Sequence, residues 1–272
     1  MLDSIRVPAL FNTNSALTVE GRWERCNVTT NRAVSAQEKS KSRGLSSHEL
    51  FIWAAVVITL CVFFGFSRTY YFHRWFGMPD LRLFIHIHGV AMTSWIALFL
   101  IQTLLISTRR VQLHRKLGLL GIVSAVLVVT FGVSATVLAA RREVAAHTQG
   151  VPIVITVLAL ELTQMLMFGG FVFAGMWLRN RPDHHKRLMV LATLCMVPNA
   201  LVRLTFWWPS FTLPLVLWTL LIVSIVVADL AIHRKLHPVF AKWAAFQICL
   251  LWLAYFVGES TPWQSWARRA LA

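Results

Sequence analysis

The sequence predicts an all-α fold, a polytopic membrane bundle of about seven transmembrane helices, and three observations predict it. Hydrophobic residues fill 57% of the 272 positions and charged residues only 14%, whereas soluble domains are about 45–50% apolar and about 25% charged. The apolar residues gather in runs of roughly twenty, the length that crosses a hydrocarbon core about 30 Å thick. The runs are continuous and lack the period-two alternation of a membrane barrel strand. Helices are then the remaining way to satisfy the backbone in lipid.

Residues 1–48 are polar, rich in Asn, Ser, Thr and Arg, and contain no apolar segment of the secretory-signal kind. They read as a basic, disordered cytoplasmic tail or as a start placed too far upstream. The apolar runs follow at about Leu50–Phe66, Leu83–Ile106, Leu117–Ala140, Val151–Leu178, Leu188–Trp208, Phe211–Ile232 and Val239–Val257. Residues 49–260 are therefore expected to form a seven-helix transmembrane domain, with 261–272 a short external tail.

Alternating the spans puts 18 of the 26 Lys and Arg residues on the side of the tail. Besides the tail, that side carries Arg109 to Lys116, Arg179 to Arg187, and Arg234, Lys235 and Lys242. The positive-inside rule then places the N-terminus in the cytoplasm and the C-terminus outside a bacterial inner membrane. Trp75, Trp207, Trp208, Trp263 and Trp266 would ring the outer interface, and Trp53, Trp177 and Trp243 the inner one.

The formal charge of +15 is not a nucleic-acid footprint, because the cations sit between apolar runs and not along a soluble face. The partners it implies are the lipid bilayer and its anionic headgroups. Cys61, Cys195 and Cys249 lie inside apolar runs and Cys26 stands alone in the tail. No CxxC pair exists, which excludes a thiol redox motif or a cysteine zinc site.

Histidine supplies the first candidate chemistry. His86 and His88 open the second helix two positions apart, about 200° around it, and cannot share one metal. His88, Trp95 and Gln102 recur every seven residues, which makes His88 the inward member. On the tail side, His114-Arg115-Lys116-Leu117 opens the third helix and His185-Lys186-Arg187-Leu188 the fifth. Spans two-three and four-five could thus be a duplicated unit. Axial haem ligands come from facing helices at similar depth, and His88, His114 and His185 are the candidates. A competing reading leaves all of them as interfacial groups that meet carbonyls and headgroups.

Buried ionisable groups supply the second, because a charge in hydrocarbon is costly and is usually paired or functional. Glu161 lies in the fourth run, and Asn199 and Arg203 lie one turn apart in the fifth. Glu161 and Arg203 are expected to interact in the outer half of the membrane. Asp229 stands near the inner end of the sixth run, close to the basic loop.

The segments His86-Ile87-His88-Gly89, His114-Arg115-Lys116-Leu117-Gly118 and His184-His185-Lys186-Arg187-Leu188-Met189, with Trp95 and Gln102, resemble a group of bacterial multi-pass membrane proteins. The resemblance covers roughly Tyr70 to Pro238 and implies the fold, not an activity. The histidines at helix ends are loosely similar to b-type haem membrane proteins and haem-oxidase assembly factors, which implies haem b as a cofactor. The chain departs from the dihaem cytochromes in having no histidine inside the fourth and sixth helices. Three functions stay open: a redox or haem-associated protein, a small-solute or ion transporter built on Glu161, Asn199 and Arg203, and a non-catalytic scaffold. A retinal pigment is excluded, since Lys242 lies at the edge of the seventh span and not in its middle.

Overall fold

A computed structural model describes residues 47–148, 150–207 and 210–272; the expected tail up to Ser46 and the interfacial Trp208 lie outside them. Seven helical segments are long and apolar enough to cross a membrane, and no strand occurs among the described residues. The chain is an integral, multi-pass membrane protein. Helix α1 (Ser47–Phe66) runs on through a π-helical turn at Ser67–Tyr71, followed by α2 (Leu83–Ser107), α3 (Val111–Ala145) and α4 (Val151–Trp177). The fifth span is two helices, α5 (Pro182–Leu194) and α6 (Val197–Leu204), and α7 (Thr212–His233) and α8 (Pro238–Glu259) complete the bundle. The end where α1 begins is called the near face below, and the opposite end the far face.

Burial distinguishes the spans. The fifth has 72% of its apolar window inside the protein, against 28–56% for the other six. Every residue from Val190 to Pro198 is buried. A helix apolar on all sides belongs at the centre of a bundle, and here α4, α8, α1 and α7 surround it. Elsewhere the lipid-facing sides carry exposed Leu, Val, Ile and Phe, while Trp53, Trp75, Trp177, Trp207 and Trp266 are exposed near the helix ends, where indole rings favour the membrane–water boundary.

The sequence pattern reads the fifth span as one continuous helix, and the structure corrects it. Pro198 has no amide hydrogen, and its ring collides with the carbonyl four residues back, that of Leu194. The helix stops there and restarts at Val197. Across the break the chain tightens into i to i+3 bonds, Cys195 to Ala192 and Met196 to Thr193, each 3.1 Å. Neighbouring spans satisfy the polar groups around the break. Trp218 Nε1 donates to the Leu194 carbonyl at 2.9 Å, and Gln247 Nε2 donates to the Leu191 carbonyl at 3.1 Å. Trp95 Nε1 donates to Thr193 Oγ1 at 3.3 Å. Indole and amide side chains in α2, α7 and α8 are thus directed at one short stretch of backbone.

Small residues set the closest approaches. A Cβ on Gly65 would fall 2.6 Å from the Ala200 carbonyl oxygen, so the glycine lets α1 lie directly against α6. Gly89, the glycine after His88, leaves room for the Tyr70 ring, which a Cβ would meet at 2.3 Å. Tyr70 then donates its hydroxyl to the His86 carbonyl at 3.2 Å, tying the π-helical turn to the start of α2.

The expected C-terminal tail is instead a helix, α9 (Thr261–Leu271). Its Trp263 Nε1 donates to the Ile155 carbonyl at 3.1 Å, and Gln264 Nε2 donates to the Gly258 and Pro152 carbonyls at 2.7 and 3.0 Å. Ala267 is fully buried while Trp266 stays exposed. The amphipathic segment is too short to span and lies across the far ends of α4 and α8.

The break in the fifth span yields a stability prediction. Trp218→Phe keeps an aromatic ring, though a smaller one, and deletes the donor, leaving the buried Leu194 carbonyl without its partner. The loss should be about 1–3 kcal/mol, read as a lower unfolding temperature in detergent. Trp252→Phe removes an indole whose partner is only the Thr219 hydroxyl, and should lower it less.

Candidate functional site

Two near-face histidines chosen from the sequence come together. His114 stands in the first turn of α3 and His185 in the first turn of α5, and their ring centres are 6.2 Å apart with planes at 84°. His185 Nδ1 lies 2.8 Å from the Gly175 carbonyl of α4. A carbonyl only accepts, so Nδ1 carries the proton and Nε2 keeps its lone pair, the tautomer that ligating histidines use. Gln102 of α2 donates through Nε2 to the His114 carbonyl at 3.2 Å. Both His114 Nδ1 and Gln102 Oε1 are buried with no hydrogen-bond partner among the described residues. Such orphaned atoms are uncommon in a folded interior, and here two of them adjoin a histidine pair.

Two features of the surroundings bear on what the pair could hold. Gly118, one turn along α3 from His114, has open space where a side chain would stand. Arg109, Arg110, Gln112 and Lys116 line a concavity of about 440 Å³ beside the start of the same helix. Open space at Gly118 and a basic basin thus lie on the first turns of the helix that carries His114.

Beside His185 on α5, the structure assembles an ion pair with Asp229, which the sequence reading had placed only near the basic loop. Arg187 Nε donates to Asp229 Oδ2 at 3.0 Å and its Nη2 to Oδ1 at 2.8 Å, while Nη1 donates to the Asp183 carbonyl at 2.9 Å. Both side chains are essentially inaccessible, at 2% and 1%. The Phe51 and Phe240 rings flank the guanidinium. The two-pronged geometry with further partners is what lets a buried pair survive desolvation. His233 Nδ1 caps the Asp229 carbonyl at 2.9 Å. Outside the spans, His237 packs on His184 with ring centres 5.2 Å apart. Burial first, then the charge of Arg187 and the His184 ring, hold its imidazole below the usual histidine range.

The far half holds the remaining candidates. His88, Trp95 and Gln102 form an inward stripe: Trp95 is buried and the other two partly so, while His86 is exposed. His88 Nδ1 lies 3.2 Å from the Phe131 carbonyl of α3, and His88 is not part of the 114–185 pair. Glu161 accepts a hydrogen bond from the Thr136 hydroxyl. Arg203 donates to the Asn199 carbonyl at 2.7 Å and lies over the Phe66 ring, 4.4 Å from its centre. The expected direct contact of Glu161 with Arg203 is not made within 4.0 Å. The arginine spends its nearest donor on its own helix and its planar face on an aromatic ring. Its field still reaches both Glu161 and His88. It keeps accessible surface at the bundle end although its guanidinium is densely surrounded.

Sequence reasoning missed Arg187 with Asp229, and Gln247. Asp229 falls nine-tenths of the way along an apolar run, and its only distant sign was a carboxylate where hydrocarbon should be. Arg187 was hidden among the basic residues of a loop. No family model matches the chain, and neither a curated protein nor a solved structure does.

The ion pair makes a double-mutant prediction. Arg187→Met or Asp229→Leu alone strands a buried charge and should cost about 3–5 kcal/mol. The double substitution should recover most of that loss in thermal unfolding of the detergent-solubilised protein. Additive losses would mean that the two side chains do not act as a unit.

Proposed function

We propose that the protein is a haem-associated redox protein of the bacterial inner membrane, in which His114 and His185 would hold one b-type haem on the cytoplasmic side. The observation that carries this reading is their 6.2 Å ring separation. Two imidazole nitrogens at about 2 Å on opposite sides of an iron put ring centres roughly 6 Å apart. The fixed tautomer of His185 and the open space at Gly118 fit the same group.

A bare metal ion fits less well. Among the described residues no three His, Cys, Asp or Glu side chains converge, and imidazole-bound zinc takes four ligands. Haem iron brings four nitrogens of its own and asks the protein for two. The basic basin of Arg109, Arg110 and Lys116 matches the two carboxylates that a haem carries. When bound, the group supplies one-electron chemistry. The residues of this chain hold it: the Gly175 carbonyl orients the His185 ring, Gln102 anchors the backbone of His114, and the Arg187–Asp229 pair fixes the first turn of α5.

The orientation follows from the charge bias. With 11 of the 19 described Lys and Arg residues at the near face, the charge bias supports a cytoplasmic near face, and the haem would lie close to soluble electron donors or acceptors there. Protein expressed with ample haem supply and purified should show a Soret band and reducible visible bands. His114→Ala and His185→Ala should each remove most of the absorbance, while His88→Ala leaves it. A colourless wild-type protein, or equal loss in all three variants, would contradict the assignment.

A further inference from the structure

Glu161 is an ionisable group that the haem reading does not use. It lies about 15 Å along α4 from Val151 at a rise of about 1.5 Å per residue, deep in the far half of the bundle. Its residue surface is still partly accessible. An ionised carboxylate in such a place is costly unless charge or hydrogen bonds meet it.

The groups that face it come from several helices. α3 supplies the Thr136 hydroxyl, which donates to the carboxyl group. α6 supplies Arg203, whose charge reaches Glu161 without a direct ion pair. His88 of α2 lies in the field of the same Arg203 and is held on the Phe131 carbonyl, without a contact to Glu161. Nearer the far end, Glu259 of α8 and Gln264 of α9 are both engaged with Thr156 of α4. α5 meets α4 in the near half, where His185 bonds the Gly175 carbonyl.

The Thr136 hydroxyl meets the carboxyl group and no cation contacts it within 4.0 Å, so no ion pair locks its protonation state. A locked ion pair would hold one state only, and an isolated carboxyl the other.

We propose that Glu161 is a proton-binding site in the far half of the membrane, exchanging its proton with water that enters from the far face. The neutral acid gives its O–H proton to a water molecule, leaving a carboxylate that Thr136 and Arg203 stabilise; the return step reverses this. The site's ligand is the proton itself, and the reading does not depend on haem.

Dicyclohexylcarbodiimide tests it, because the reagent enters apolar sites and needs a carboxylic acid. The acid proton moves to a carbodiimide nitrogen and the carboxylate oxygen bonds to the central carbon; an oxygen-to-nitrogen acyl shift then gives a stable N-acylurea. Purified protein, checked for folding by size exclusion, is labelled across a pH series and the Glu161 peptide is quantified by mass spectrometry. Labelling at Glu161 should be strong in acid and fall as pH rises. Arg203→Gln should keep it labelled at more alkaline pH, by a tenfold or greater change in proton concentration at half-labelling, whereas Arg203→Lys stays near wild type. Thr136→Val, near-isosteric and expected to fold, should shift labelling the same way as Arg203→Gln. Absence of label at Glu161 in acid, or identical pH profiles in wild type, Arg203→Gln and Thr136→Val, would overturn the proposal.

Discussion

The structure depends on one constraint: the fifth span is enclosed by protein and broken at its middle. In lipid an unsatisfied carbonyl has no water to turn to, so a proline inside a membrane helix must be answered by a neighbour. Pro198 displaces the Leu194 carbonyl, and Trp218 answers it. Gln247 and Trp95 engage the adjoining turn. Three donors from three spans have to converge at one depth, which fixes the register of α2, α7 and α8 against the centre. Apolar packing alone would let helices slide, since lipid tails are as apolar as leucine.

The same helix carries most of the chemistry. Its first two turns hold His185 and Arg187, and the segment past the break holds Asn199 and Arg203, so the two halves on either side of the break serve opposite membrane faces. In the near half, charge is neutralised by contact: Arg187 and Asp229 meet through two parallel bonds and leave the His185 ring in a fixed setting. In the far half, charge is balanced at a distance, with Arg203 seated on Phe66 and Glu161 held by a hydroxyl. A contact pair holds a fold, and a separated pair leaves a carboxyl able to change its proton. The rigid and the responsive regions therefore sit at opposite ends of one element.

How much of this the sequence disclosed follows from the range of each interaction. Span number was legible because hydrophobic length is a local property; the second and fourth spans end within a residue of expectation, whereas α3 (Val111–Ala145) overruns its apolar run Leu117–Ala140 at both ends, where polar residues continue the helix. The inward stripe of His88, Trp95 and Gln102 was legible from its seven-residue period. His114 and His185 could be paired because each opens a helix at the same face in matching surroundings. The Arg187–Asp229 bond was not legible, since it joins residues 42 apart whose partnership is a matter of how α5 and α7 are rotated. Pro198 was visible, but an uninterrupted apolar run outweighed it. The Glu161–Arg203 contact failed for a rotational reason as well: the guanidinium found a carbonyl and an aromatic face on nearer elements first. α9 was hidden because a short amphipathic helix lacks the hydropathy of a span.

The proposed haem site rests on the fifth span bringing His185 to within 6.2 Å of His114, ring centre to ring centre, where the two imidazoles would hold one haem. Resonance Raman spectroscopy of the haem-loaded protein reads that ligation directly, through the iron's coordination and spin state. The account predicts six-coordinate, low-spin iron in both the oxidised and reduced protein, with five-coordinate iron in His114→Ala and in His185→Ala alike. Five-coordinate iron in the wild type, or a six-coordinate spectrum that survives loss of both histidines, would contradict it.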